Sequence, residues 1–324
     1  MTESSKMLDK IIHFLKSSDG YISGEEISEA LNISRAGIWK HIQELRAAGY
    51  DIVAVPHLGY QLVSSPDKLF PHEIKCHLHT KVMGKKIFYF DAVNSTMDEA
   101  FRLGMEGLEE GTVVCAESQS KGRGRLGRSW TSPKGKGIYM SVILRPRLSP
   151  AGVSQLTLLA AVAVAEAIQK ISGVAAQIKW PNDLLVHNKK LVGILTEMNA
   201  ETDRVKFIVV GIGINVNASA SQLPPHATSL KNETLQNFSR VELVQEILRI
   251  FEHWYLRFQG EGFAPVITRW KELSLTLGKH IRISDPHQTI EGKAIDIDAD
   301  GGLLIRSDTG IVIKKMSGDV VQIT

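Results

Sequence analysis

The chain has 324 residues, 43% of them hydrophobic and 23% charged, and a formal net charge of +3. That length buries a substantial core and leaves room for two or three domains. Two cysteines, Cys76 and Cys115, make no disulfide framework, which excludes a stapled secreted scaffold; both are expected reduced and inert. The N-terminus lacks a basic segment followed by an apolar one, so no signal peptide is read there. The longest apolar run, 156–168, contains Thr157 and Glu166 and is short for a bilayer span, so a buried helix and a cytoplasmic protein are expected.

Residues 6–65 read as three helices and a hairpin. Leu8, Ile11, Ile12 and Leu15 recur at helical spacing. Ser23, followed by Glu26, is a capping-box start for a short helix through Leu31, and Asn32-Ile33-Ser34 is a tight turn. Ser34 caps a second helix that ends at Gly49. Residues 51–63 then alternate apolar and polar around Pro56 to Gly59, a hairpin signature. Helix-turn-helix followed by hairpin is a winged helix, and Ser64 to Asp67 reads as a linker.

Between 84 and 260, strand-like runs at 87–90, 112–116, 138–144, 176–179, 184–186, 193–198 and 207–212 outnumber helix-like runs at 96–104, 153–171 and 241–258. Turns at Asn188 and at Thr202-Asp203 join consecutive strands, so the expected layer is mixed rather than doubly wound. After 275 the chain alternates as a meander punctuated by Asp285-Pro286, Asp300-Gly301 and Asp308 to Gly310, which predicts a small β-barrel. The fold class is therefore α+β, with a winged helix at 1–65, a central domain at 66–270 and a barrel at 271–324.

From Gln119 to Ala165 there are eight basic residues (Lys121, Arg123, Arg125, Arg128, Lys134, Lys136, Arg145, Arg147) and no acidic one. Within this stretch Gly122, Gly124 and Gly127 satisfy a dinucleotide-binding spacing. The context fails, because 129–137 cannot form the required helix and no acidic residue follows about 20 positions on. What remains is either a flexible surface loop or a glycine-rich loop whose backbone approaches a ligand and whose arginines fork onto phosphate oxygens; the absence of acids favours phosphate. His72 and Cys76 share a helical spacing, but no second ligand pair accompanies them, so no metal site is read there. Lys179 and Asp183 flank an apolar turn in a segment that otherwise reads as buried, and buried charges need partners. The glycines at 211 and 213 read, taken alone, as packing glycines in a strand.

The run Gly122-Arg123-Gly124-Arg125 with Trp130, then Lys179-Trp180-Pro181-Asn182-Asp183, Lys190 to Gly193 and Gly211 to Asn215, in that order, closely resembles biotin–protein ligases. With the winged helix in front, the whole chain resembles the bifunctional biotin ligases and biotin operon repressors of bacteria. The resemblance implies ATP-dependent formation of biotinyl-AMP, transfer of biotin to a lysine of the biotin carboxyl carrier protein, and repression of biotin-synthesis genes. By matching position it implies biotin contacts from Ser95, Thr96, Met97, Gln119, Arg123, Gly124, Arg125 and Lys190. Arg125, Arg128, Trp130 and Asn215 match positions around the nucleotide, and Lys179, Asp183 and Lys190 match catalytic positions, with Asp183 toward Mg²⁺. A carboxylate attacking the α-phosphate of ATP brings negative charges together, so Arg, Lys and Mg²⁺ are the groups such a site needs. A lipoate ligase, which shares the central fold, and a biotin sensor without turnover are the competing readings.

The first 65 residues carry six basic and eight acidic side chains, a net of −2, which is poor for non-specific phosphate binding. Ser34, Arg35, Lys40 and His41 nevertheless lie on the second helix of the helix-turn-helix and His57 at the wing tip, so these residues are the expected contacts to operator DNA. Trp39 reads equally as a core residue. The resemblance further implies a homodimer promoted by biotinyl-AMP.

Overall fold

A computed structural model describes residues 3–18, 20–202, 204–285 and 288–323. The chain divides into two compact units, Met1–Cys76 and His77–Thr324. Among the expected turns, Asp203 and Pro286 fall outside the described residues.

The first unit runs α1 (Glu3–Lys16), α2 (Gly24–Leu31), α3 (Arg35–Ala48), β1 (Asp51–Val55), β2 (Gly59–Ser64) and α4 (Pro71–Lys75). Ile11, Ile12 and Leu15 of α1 meet Ile27 of α2 and Ile38, Ile42 and Leu45 of α3 in one core. Both halves of the capping box form, Ser23 Oγ accepting from Glu26 N and Glu26 accepting from Ser23 N. Asn32 at φ 53° and Gly49 at φ 107° close α2 and α3 in the left-handed region. The wing is the antiparallel pair β1–β2.

The expected boundary at 65 falls inside this unit, because α4, which the sequence reading did not anticipate, is tied back by a buried polar network. The Tyr50 hydroxyl donates to Glu73 Oε1 at 2.7 Å and meets His72 Nε2, while His72 Nδ1 lies 2.8 Å from Asp9 Oδ1 and Lys16 Nζ 2.5 Å from Glu73 Oε2. Both ring nitrogens of His72 are thereby engaged within the unit.

The second unit opens with β3 (Ile87–Phe90), α5 (Thr96–Met105), β4 (Val113–Ala116), β5 (Gly137–Leu144) and α6 (Val153–Ser172). It continues with β6 (Gln177–Lys179), β7 (Asp183–Val186), β8 (Lys189–Ala200) and β9 (Val205–Asn215). Next come α7 (Leu230–Thr234), α8 (Arg240–Glu261) and α9 (Ala264–Leu273). Seven strands form one sheet in the order β3-β4-β5-β9-β8-β7-β6, parallel only between β3 and β4. The sheet is thus mixed, as expected. His187 and Asn188 both take positive φ, 47° and 62°, in the two-residue turn that joins β7 to β8.

Strand alternation sorts the two faces of this sheet. Ile143, Phe207 and Val209 pack with Met97, Ala100 and Leu103 of α5 on one face. On the other, Thr157 Oγ1 of α6 reaches Thr196 Oγ1 of β8 at 2.8 Å, and α6 also packs on α8 and α9. By length and composition this helical stretch, Pro150–Ser172, whose most apolar 18-residue window has a mean hydropathy of 1.7, would suffice to cross a membrane. The helix extends beyond the apolar run 156–168, and it is buried between sheet and helices, as expected, which explains its apolar character.

The chain ends in β10 (His280–Ser284), β11 (Thr289–Ile297), β12 (Leu303–Arg306), β13 (Val312–Lys315) and β14 (Asp319–Gln322), an antiparallel sheet in the order β13-β12-β11-β10-β14. The expected boundary at 270 falls inside α9. This sheet seats on the central one through the buried Trp180, whose Nε1 donates to Gly301 O at 3.1 Å and whose backbone N donates to Thr276 Oγ1 at 3.0 Å.

Candidate active site and DNA-recognition face

A cavity of about 560 Å³ opens on the α5 face of the central sheet. Its floor is β8 and β9, its mouth is the glycine-arginine loop, and one wall comes from Gly318 to Val321 of the C-terminal sheet. Every residue that the sequence reading placed around biotin, the nucleotide or the phosphates lines it: Ser95, Thr96, Met97, Gln119, Arg123, Gly124, Arg125, Arg128, Trp130, Lys179, Asp183, Lys190 and Asn215.

At one end, Ser95 caps α5 and is buried with Thr96 and Met97. Gln119 Oε1 accepts from Thr96 N at 2.9 Å and its Nε2 donates to Ser132 Oγ at 3.0 Å, while Ser141 Oγ donates to Thr96 Oγ1 at 2.9 Å. This chain of hydrogen bonds fixes the amide and hydroxyls in place, which suits recognition of a polar head group.

The loop itself folds into a small hairpin. Trp130 N donates to Gly122 O at 2.8 Å and Gly124 N to Arg128 O at 2.7 Å, with a 3-10 turn at Arg125–Gly127 between them. A Cβ at Gly122 would stand 2.6 Å from Trp130 O, so close approach of two backbones demands glycine there. The basic run lacks local acids, but the fold brings acids to it from elsewhere. Arg123 ion-pairs with Asp98 of α5 and with Glu197 of β8, the latter at 2.8 Å, and Arg128 pairs with Asp319. Arg125 donates to Asn182 Oδ1 at 3.0 Å. Burial pulls the pKa of Arg125 down from its ordinary value, opposed by Asp319 and Asp183. A partly desolvated guanidinium is a strong site for an incoming anion.

The floor explains the strand glycines. A Cβ at Gly213 or Gly193 would collide with the Trp130 ring, at 2.6 and 2.8 Å, and one at Gly211 with Met97 Sδ at 2.5 Å. The packing reading of these residues is thus half the account: Gly211 admits a helix side chain, whereas Gly193 and Gly213 form a cradle for an indole. Trp130 Nε1 is buried without a hydrogen-bond partner. Lys190 Nζ lies 5.5 Å from the Trp130 ring and 2.7 Å from Asp183 Oδ1. That last contact has ion-pair distance without hydrogen-bond geometry, so Asp183 Oδ1 is a second buried polar atom without a hydrogen bond.

A metal was expected at Asp183. Among the described residues no three His, Cys, Asp or Glu side chains converge, so an all-protein cage is absent. One carboxylate is enough to assist a Mg²⁺ ion held mainly by phosphates and water, and Asp183, whose Oδ1 accepts no hydrogen bond and lies 2.7 Å from Lys190 Nζ, is a cavity-lining carboxylate of that kind. Cys115 is fully buried in β4, and burial pushes its thiol up to about 12, which disfavours the thiolate and leaves it unreactive.

Comparison with known proteins follows the same division of the chain. Residues 8–61 match the HTH domain, 89–215 the biotin/lipoate A/B protein ligase family and 276–321 the biotin protein ligase C-terminal domain. The chain is 43% identical over 307 residues to the bifunctional ligase/repressor BirA of Bacillus subtilis (strain 168), covering 94% of each. The chain belongs to the bifunctional biotin ligase/repressor family. It is 33% identical to the bifunctional ligase/repressor BirA of Escherichia coli (strain K12), over 96% of this chain and 95% of that one. Among solved structures it is similar to the biotin protein ligase of Aquifex aeolicus in complex with biotin and ATP, with a TM-score of 0.64 and 30% identity, covering 74% of this chain and 98% of that one.

On the first unit, the stripe Arg35, Ala36, Trp39 and Lys40 of α3 is exposed, opposite the buried Ile38, Ile42 and Leu45. Ser34 Oγ caps α3 by accepting from Gly37 N at 3.1 Å, and Arg35 pairs with Glu25 at 2.9 Å. His41 is turned toward Glu44, 3.0 Å away, and is only 16% exposed. His57 stands exposed in the wing turn at φ 65°. Trp39, open between core and surface in the sequence, is 59% exposed.

Proposed function

We propose that the 560 Å³ cavity performs two successive reactions. A biotin carboxylate oxygen attacks the α-phosphorus of ATP, the bond to the β-phosphate bridge breaks, and pyrophosphate leaves. The ε-amine of an acceptor lysine then attacks the carbonyl carbon of biotinyl-AMP, and AMP leaves with the bonding pair. The observation that carries this reading is the meeting, in one apolar-floored cavity, of a hydrogen-bonded polar end at Thr96 and Gln119 with a cationic end at Arg125, Lys179 and Lys190.

In this reading the polar end holds the biotin ring and the cationic end neutralises the phosphates. Trp130 presents its ring to the adenine, and Asn215, at the end of β9, borders the nucleotide. Lys190 and Lys179 hold the α-phosphate as its charge shifts to the leaving group, so catalysis is mainly positioning and electrostatic preorganisation. Asp183 would hold Mg²⁺, which supplies further charge neutralisation when bound. The acceptor is the biotin carboxyl carrier protein, the setting is the cytoplasm, and α3 with the wing binds operator DNA.

Mass spectrometry after incubation with biotin and MgATP should find biotinyl-AMP retained by the protein. Retention of lipoyl-AMP from lipoate instead would overturn the assignment of substrate.

Arg125→Ala should weaken biotinyl-AMP much more than biotin, since only the adenylate offers a phosphate to this guanidinium. Losing such a charge-assisted contact costs about 1.5–3 kcal/mol. Equal losses for both ligands in calorimetry would refute the phosphate role.

The adenylate should also drive homodimerisation and operator binding. A unit with a net charge of −2 over residues 1–65 binds DNA weakly alone, whereas a symmetric pair presents two recognition helices to two half-sites. Linkage then requires that dimerisation tighten adenylate binding by the same factor, typically about 1–3 kcal/mol. Sedimentation with and without biotinyl-AMP tests this, and an apo protein that is equally dimeric counts against the coupling.

A further inference from the structure

We propose that Trp39 is the residue with which α3 reads thymine, its ring lying against C5-methyl groups in the major groove of the operator. The inference rests on the operator-binding reading above and extends it to a named residue and a named base feature. Tryptophan is a large apolar side chain that is ordinarily well buried, yet Trp39 is 59% exposed while its neighbour Ile38 is fully buried. It stands in the N-terminal half of α3, about one turn beyond Ala36, so that Ala36 and Trp39 form a short apolar strip on the solvent face.

Cations flank that strip. Lys40 follows it, and Arg35 precedes it at the start of the helix. The only ion pair of Arg35 among the described residues is to Glu25, with both side chains about two-thirds exposed, at 70% and 66%. So exposed a pair is weak and exchanges readily for a phosphate. The arrangement of an aromatic strip between two cations matches a groove of bases between two phosphate backbones.

Charge sharpens the choice of base. Because the first 65 residues carry a net −2, phosphate attraction contributes little and base-edge contacts must supply more of the affinity. On the major-groove edge, the thymine methyl is the one apolar feature that a base pair presents. An indole has no acceptor for the amino groups of adenine or cytosine, and its single N–H donor does not distinguish the N7, O6 and O4 acceptors, so what the apolar ring face adds is contact with the thymine methyl.

The test uses the full chain loaded with biotin and MgATP. Duplexes enriched from a random library by the wild-type protein are resynthesised with uracil in place of thymine, position by position, which removes only the methyl groups. Substitution at one or two positions per half-site should weaken wild-type binding at least about fivefold, the lower end of what one wrong base pair costs. Trp39→Ala, on an exposed face and so with little effect on folding, should bind thymine and uracil duplexes equally while retaining biotinylation activity. Its salt dependence should match that of wild type, whereas Lys40→Ala should show a shallower one. If Trp39→Ala still prefers thymine, or binds the selected duplex as tightly as wild type, the exposed indole serves a protein partner and the proposal is overturned. A wild-type protein that enriches no sequence overturns the operator reading together with this inference.

Discussion

Lys190→Ala is expected to lower adenylate synthesis by about 100- to 1000-fold, the range seen when one preorganised electrostatic donor is lost at a developing charge. Lys190 stands between the Trp130 ring and Asp183, at 5.5 and 2.7 Å, at the end of the cavity where cations gather. Its removal takes a positive charge from the reaction and leaves the Asp183 carboxylate to repel the phosphates. The fold should survive, because Lys190 is 36% exposed at the mouth of an open cavity and packs in no core cluster. Lys189→Ala is the control, since Lys189 is the exposed neighbour that does not line the cavity. Pyrophosphate release measured at saturating biotin and MgATP decides the matter. A folded Lys190→Ala protein with wild-type release would remove this residue from the mechanism.

The second large effect is expected at a buried ion pair that does not itself line the cavity. Arg240 opens α8 and is buried with Glu117, its Nη1 2.7 Å from Glu117 Oε2 and 3.2 Å from Gly137 O, each side chain 2% exposed. Breaking such a buried pair by truncating one partner removes much of the compensation of the other charge in a low-dielectric interior, a cost of about 3–5 kcal/mol. Arg240→Ala should therefore lower the unfolding free energy of the second unit by that amount in a denaturant titration. Replacing both partners, as Glu117→Leu with Arg240→Met, should recover much of the loss, because desolvation of both charges is avoided. A single-mutant effect below about 1 kcal/mol would show that the remaining partners of Glu117, or water, compensate its carboxylate.

Much of the fold is local enough to be read from the chain. The capping box at Ser23 and Glu26, the cap at Ser34, the glycine stop at Gly49 and the left-handed turn at His187 and Asn188 all involve residues within a few positions of one another. Periodicity likewise marks the core face of α1 and the strands of the C-terminal sheet. The five-residue helices α4 and α7 are too short to show a period, α9 lacks a side-chain cap to mark its start, and α4 is tied to the distant Tyr50 and Lys16.

The chemistry of the site divides in the same way. Residue types and their order, an arginine-glycine loop, a Lys-Trp-Pro-Asn-Asp run and a strand with alternating glycines, were enough to name the family and the positions that face the cavity, since those properties reside in single side chains and short backbone stretches. Only the tertiary structure decided what each of them touches. Arg128 meets Asp319 across 191 residues, and Arg123 meets Asp98 and Glu197. The glycines of β8 and β9 prove to be the seat of Trp130. Trp39, equally suited to a core, stands in solvent, because burial and electrostatic pairing are properties of which surfaces meet, and a linear pattern does not encode its own partners.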